Sequence, residues 1–146
     1  MRPVGMQVTA KADYALRAAT VLASSGPGPV KSEAIAAREG IPLRFLHNIL
    51  AALTRAGILS SLRGADGGYE LTRAAADITV ADVLRAVEGP FAAGGGTDPA
   101  GPDNTLRRVW ALVRANERAV LEAVTLADLA AGRLPDVSAI GSELRR

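Results

Sequence analysis

Residues 41–71 form the segment that most constrains how this chain can fold. From about Pro42 onward, leucines recur at the spacing of one face of a helix, and the opposite face carries basic, polar or small residues. The leucines are Leu43, Leu46, Leu50 and Leu53, and the opposite positions are Arg44, His47, Asn48, Ala51 and Arg55. Gly57 is placed to end this helix in a left-handed conformation. The pattern predicts an amphipathic helix whose polar face is left for a ligand.

A β-hairpin is predicted directly after this helix. Residues 58–63 have strand character, residues 64–68 (GADGG) are a glycine-rich turn, and residues 69–72 return as a second strand. A short helix over 33–39, capped by Ser32 and closed by Gly40, precedes the amphipathic helix. Two helices joined by a tight turn and followed by a hairpin are the elements of a winged helix-turn-helix.

Charge is distributed unevenly along the chain. The 17 basic and 15 acidic residues nearly balance, but no acidic residue occurs between Glu39 and Asp66. A cationic, acid-free helix and hairpin on a balanced protein favours a polyanionic ligand over a small substrate. An enzyme is not predicted, since the chain has no cysteine, one histidine and no phosphate-binding GxxxxGK[ST] loop.

The remaining pattern is helical, in keeping with an aromatic content of only 3%. Thr9 can cap a first helix to about Ser24, and Thr79 with Asp82 resembles a capping box for a helix to Glu88. Asp103 or Asn104 can cap the longest helix, which runs to about Val124, and Thr125 can cap a final helix that Gly132 ends.

The chain is therefore expected to divide into four segments. These are a winged helix-turn-helix over 6–89, a Gly/Pro-rich loop over 90–102, a dimerisation helix and short final helix over 103–132, and a flexible tail over 133–146.

Several of these segments together resemble one family. The segments are 9–15 (TAKADYA), 41–49, 60–64 with 67–69, 83–89 and 125–129. They are similar to the Rrf2 family of bacterial winged-helix transcriptional regulators, the group of IscR, NsrR and CymR. The resemblance implies a mostly α fold with a two-stranded wing and a long C-terminal dimerisation helix. It also implies a homodimer that binds double-stranded DNA at a pseudo-palindromic operator, most simply as a repressor.

The expected DNA-binding residues lie on the amphipathic helix, on the wing and near helix ends. They are Lys11, Lys31, Arg44, Phe45, His47, Asn48, Arg55, Arg63 and Gly64. The resemblance places Arg63 in the minor groove, and the start of a recognition helix enters the major groove. Phe45 could equally serve packing, and Lys11 and Lys31 could be ordinary exposed lysines. His47 lacks neighbours at metal-ligand spacing, so no metal is expected there.

The longest helix carries more apolar residues than one small domain needs to bury. They include Leu106, Val109, Trp110, Val113, Val120 and Val124. A second copy of the chain is the simplest cover for this stripe, and the resemblance implies the same dimer. Trp110 is expected to pack there rather than to bind a ligand.

The loop over 91–105 differs from that of cluster-binding family members, which carry three cysteines in this region. Without a thiolate an iron–sulfur cluster has no ligands, so no cofactor is expected. A small molecule or partner protein could then control the regulator, with a pocket near Tyr14 and Trp110 as the place to look. A helical adaptor that has lost DNA binding is a further alternative. With no secretory signal and no apolar run of about 20 residues, a cytoplasmic location is expected.

Overall fold

The computed structural model describes residues 8–89, 102 and 104–136. The described elements are α1 (Ala10–Ser24), α2 (Ser32–Glu39), α3 (Leu43–Arg55), β1 (Leu59–Leu62), β2 (Gly68–Leu71), a one-turn 3-10 helix (Ala75–Asp77), α4 (Val80–Glu88), α5 (Thr105–Ala123) and α6 (Leu126–Ala131). The predicted mostly α fold with a two-stranded wing is confirmed. Most of the predicted loop over 90–102, the Asp103 cap and the tail beyond residue 136 lie outside the described residues. No helix in the described part combines the length and apolarity needed to cross a membrane.

Reciprocal capping boxes start α4 and α6; the sequence predicts the first, and at α6 it predicts Thr125 as the cap but not the return hydrogen bond to Asp128. The Thr79 side chain accepts a hydrogen bond from the Asp82 N–H, and the Asp82 carboxylate accepts one from the Thr79 N–H. Thr125 and Asp128 repeat the arrangement at α6. The backbone N–H of Thr125, followed by its hydroxyl, holds the pKa of Asp128 below its ordinary value. Ionised carboxylates at these positions also interact favourably with the N-terminal ends of the helix dipoles.

The prediction that Ser32 caps α2 is wrong. Ser32 is the first residue of α2, and Lys31 occupies the N-cap position without a side-chain hydrogen bond to the helix. The Ser32 hydroxyl is used in a tertiary contact instead, which is described below. Gly40 closes α2 in the left-handed conformation as predicted, with φ of 63°.

The apolar face of α3 closes the main core. Leu46, Leu50 and Leu53 are fully buried there among side chains of α1, α2 and α4. Leu43 was expected in the same row but is 37% exposed. It is the first residue of α3, one turn ahead of Leu46, where the helix begins to project beyond the core.

The wing is anchored to the chain segment that precedes α2. β1 and β2 pair antiparallel, and Tyr69 exchanges two backbone hydrogen bonds with Val30, at 2.8 and 2.9 Å. A Cβ atom on Gly68 would lie 2.5 Å from the Val30 carbonyl oxygen, and Gly68 has φ of +145°. Both the close approach and the backbone conformation therefore require glycine at this position.

The C-terminal end of α5 is joined to the winged helix by backbone hydrogen bonds. The Val80 N–H donates to the Val124 carbonyl at 2.8 Å, and the Leu126 N–H donates to the Ile78 carbonyl at 2.9 Å. Arg85 of α4 also pairs with Glu122 of α5. With 19 residues, α5 is about 28 Å long, slightly shorter than the sequence predicts. Its base is therefore fixed relative to α3 and the wing.

We expect Gly68→Ala to lower the free energy of unfolding by about 1–3 kcal/mol, because the new methyl group meets the Val30 carbonyl in a conformation that alanine rarely adopts. Urea denaturation of the purified protein measures this change. Gly26→Ala is the matched control, since Gly26 has open space around it and no positive φ. Equal stability of the two variants would contradict the close approach between wing and strand.

Candidate nucleic-acid interface

The polar face of α3 is open to solvent along its whole length. Arg44, His47, Asn48 and Arg55 are all exposed, whereas Leu46 between them is fully buried. The rotation of the helix about its own axis therefore separates its two faces as the sequence pattern predicts. Exposed donors at the N-terminal turns of such a helix suit base edges and phosphates in a major groove.

Phe45 extends from the first turn of α3 and remains 56% exposed. Its ring meets the Tyr14 ring of α1 edge to face, with ring centroids 6.5 Å apart. The guanidinium of Arg17 in turn lies 5.3 Å from the Tyr14 centroid. Phe45 thus packs against Tyr14 of α1 with part of its ring, while the rest of the ring stays accessible to a ligand.

Arg17 engages the acidic groups that border this surface. It pairs with Asp13 at 3.1 Å and with Glu39 at 3.3 Å, and it also donates to the Glu39 carbonyl. Its hydrogen bond to Asp13 is the largest of the effects that raise the pKa of Arg17. Since Glu39 is the last acidic residue before Asp66, this pairing offsets a negative charge that a polyanion approaching α3 would otherwise meet. The sequence analysis did not identify Arg17, and spacing alone could not have placed it beside Glu39.

His47 contacts α2 through one ring nitrogen. Its Nε2 lies 3.2 Å from Oγ of Ser32, which is buried. In the described part of the chain, no group of three or more His, Cys, Asp or Glu residues is arranged to hold a metal ion. His47 therefore lies on the polar face of α3, in contact with α2 through Ser32.

The wing presents Arg63 immediately after β1. Arg63 is exposed, and the neighbouring Gly64 has φ of +102° with open space where a side chain would lie. Leu62 was not among the predicted contacts, yet it is exposed beside Arg63. Its strand partner is Gly68, which has no side chain to cover it. The glycine opposite Leu62 in the hairpin is the sequence feature from which the exposure of this leucine could have been predicted.

The remaining predicted DNA contacts are exposed near helix ends. Lys11 lies in the first turn of α1, Lys31 is the N-cap of α2, and Arg55 is the last residue of α3. Their positions are compatible with phosphate contacts, and these roles stay predictions.

The second surface of interest is the apolar stripe of α5. Val109 is 42% and Val120 36% exposed, and Leu106 is more exposed than either, while Trp110 and Val113 are partly buried. Val124, expected in the same stripe, is only 8% exposed because it packs against Ala12, Val80 and Leu84 of its own chain. Leu112, which the sequence analysis omitted, is half exposed on the flank of the helix. The exposed stripe thus ends before the base of α5.

The chain is similar to known proteins over nearly its whole length. Residues 8–132 match the Rrf2 family model, which describes iron-dependent transcriptional regulators. An HTH-type transcriptional regulator of Mycobacterium tuberculosis is 46% identical over 137 residues, covering 90% of this chain and 85% of that protein. The structure of CymR, the global cysteine regulator of B. subtilis, has a TM-score of 0.76 at 30% identity and covers 88% of this chain and 98% of its own. The structure of T. potens IscR has a TM-score of 0.73 at 34% identity and covers 88% of both chains.

The iron dependence in the family description does not fit the donor set of this chain. Iron–sulfur clusters are held mainly by cysteine thiolates, and the sequence contains no cysteine. Its single histidine, His47, is already hydrogen-bonded to Ser32 on the face of α3. These residues cannot assemble a cluster of the type that thiolates hold.

Proposed function

Because the chain belongs to the Rrf2 family of DNA-binding transcriptional regulators, which are not enzymes, we propose that it acts as a homodimer on a pseudo-palindromic operator and represses transcription there. The observation that carries this proposal is the polar face of α3, where Arg44, His47 and Asn48 are exposed together. Bidentate arginine–guanine and asparagine–adenine pairs are contacts that such a face can make. In this proposal Arg63 and Gly64 of the wing reach the minor groove.

The proposed dimer follows from the exposed stripe of α5. A valine side chain that moves from water to an apolar contact contributes roughly 1.5–3 kcal/mol when fully buried. Leu106, Val109 and Val120 could gain part of this free energy against a second copy of the same helix. A two-fold dimer would also align two copies of α3 with half-sites about one helical turn, or a multiple of it, apart.

The signal that controls binding is proposed to be a small molecule or a partner protein, since the chain has no thiolate for a cluster. The predicted pocket near Tyr14 and Trp110 stays a hypothesis; Tyr14 lies against Phe45 and Arg17.

We propose a cytoplasmic location, where the protein would reach its operator directly. Genomic footprinting tests the function as a whole, because it gives both the operator sequence and its neighbouring genes.

We expect Arg63→Ala to weaken binding to the selected operator by about 1–3 kcal/mol, through loss of the minor-groove contact of the wing. Binding-site selection followed by fluorescence anisotropy measures this loss. Arg133→Ala is the matched control, since Arg133 is an exposed arginine just after α6, far along the chain from α3 and the wing. If both variants bind as tightly as the parent, the role proposed for the wing is wrong.

We expect a dimer at micromolar concentration, and a monomer when Val109→Asp and Val120→Asp are combined, because two carboxylates would have to be buried in the interface. Sedimentation equilibrium gives the assembly state, and anisotropy gives operator affinity, which should fall with dimerisation. Ala111→Asp places one carboxylate on an exposed position of α5 outside the stripe and should leave the dimer intact. A monomeric parent that binds the palindrome with full affinity would contradict the proposal.

We expect protein purified anaerobically with iron supplied to be colourless and free of stoichiometric iron, because the chain offers no cysteine ligand. Absorbance in the visible region and iron analysis together check this expectation. Charge-transfer bands accompanied by stoichiometric iron would refute it.

A further inference from the structure

Ser32 is a hydroxyl residue buried at the base of the proposed interface. It is 8% exposed, and its Oγ lies 3.2 Å from Nε2 of His47, fifteen positions further along the chain. The contact joins the first residue of α2 to the polar face of α3. Because the Ser32 side chain does not cap α2, its hydrogen bonds are available for this tertiary contact.

The Ser32 hydroxyl has one proton, so it can donate to only one acceptor at a time. Oγ of Ser32 donates to Oε2 of Glu33 at 3.3 Å. Glu33 is an acceptor in its ionised form, and its pKa is lowered chiefly by a hydrogen bond from its own backbone N–H, with Ser32 and the positive charge of Lys31 contributing. With its proton committed to Glu33, Oγ of Ser32 can only accept from His47.

The direction of this hydrogen bond selects one tautomer of a neutral imidazole. Nε2 of His47 must carry a proton to donate to Ser32, so a neutral ring presents Nδ1 as an acceptor. His47 is exposed between Arg44 and Asn48 on the same helix face, so the outer part of its ring is available to a ligand. In the major groove, an acceptor matches the amino group of adenine N6 or cytosine N4, whereas guanine and thymine present acceptors there.

We propose that Ser32 is a positioning residue of the DNA interface, which holds the His47 ring in one orientation and tautomer so that Nδ1 accepts from the exocyclic amino group of an adenine or a cytosine. The proposal rests on the proposed function, since it requires sequence-specific binding through the polar face of α3. Arg44 and Asn48 flank His47, so the base that it contacts should lie within each half-site.

The experiment measures base preference instead of affinity alone. After binding-site selection with the parent, operators carrying each of the four base pairs at every half-site position are titrated with the parent, Ser32→Ala, His47→Ala and the double variant. The parent should prefer an amino-bearing base at one position by roughly 2- to 13-fold, the range expected of a single hydrogen bond. His47→Ala should abolish that preference, and Ser32→Ala should reduce it with the preferences at other positions unchanged.

Two controls separate positioning from a structural role. Ser24→Ala removes the same hydroxyl from an exposed position on α1, where it donates to the Thr20 carbonyl, and should leave every preference intact. In the His47→Ala background, Ser32→Ala should have no further effect, because the residue through which it acts is gone.

Nitrogen NMR gives a direct reading, because His47 is the only histidine in the chain. The parent should show one imidazole tautomer protonated at Nε2, and Ser32→Ala should shift the ring toward a mixture. A parent that selects a motif whose base preferences and imidazole spectrum are both unchanged by Ser32→Ala overturns this proposal alone. A parent that selects no motif overturns the proposed function, and the positioning role with it.

Discussion

Helix α3 meets two requirements at once: its apolar face must close the core, and its polar face must stay open. Leu46, Ile49, Leu50 and Leu53 are essentially fully buried, and each contributes roughly 1.5–3 kcal/mol relative to an exposed side chain. Together they far outweigh the cost of leaving part of Phe45 in water. The rotation of the helix about its axis is therefore fixed by the core, and the outward positions of the polar residues follow from it.

The interface depends equally on how other elements are joined to α3. The two backbone hydrogen bonds between Val30 and Tyr69 tie the wing to the start of α2, and the bonds at Val80 and Leu126 tie the base of α5 to α4. Backbone hydrogen bonds in partly buried positions are costly to break without a replacement. Helix α3, the wing and α5 are thus joined to one another by hydrogen bonds and core packing, and a dimer formed through α5 would fix the separation of two copies of α3.

Features set by local spacing could be predicted from the sequence, whereas features set by distant partners could not. The capping pairs Thr79–Asp82 and Thr125–Asp128 lie three residues apart, so their geometry follows once a helix forms. Ser32 has the same residue type as a cap, but His47, fifteen positions away, determines its role. Val124 follows the apolar period of α5, yet its burial depends on Val80 and Leu84 of α4. The polar face of α3 was predictable from periodicity, but the support that Tyr14 and Arg17 give it was not.

The residues of α3 that stabilise the fold are different from those that we propose to give specificity. Residues on the polar face of α3 contribute little to the core, so their exchange alters what the surface can bind without greatly affecting folding. The Ser32–His47 pair is intermediate, because one partner is buried and the other is exposed. When the Ser32 hydroxyl is removed, the exposed imidazole can bond to water, so no buried group is left unsatisfied. The cost in unfolding free energy is then small, and under the proposed positioning role the freedom that the ring gains would be measured mainly as lost discrimination between bases.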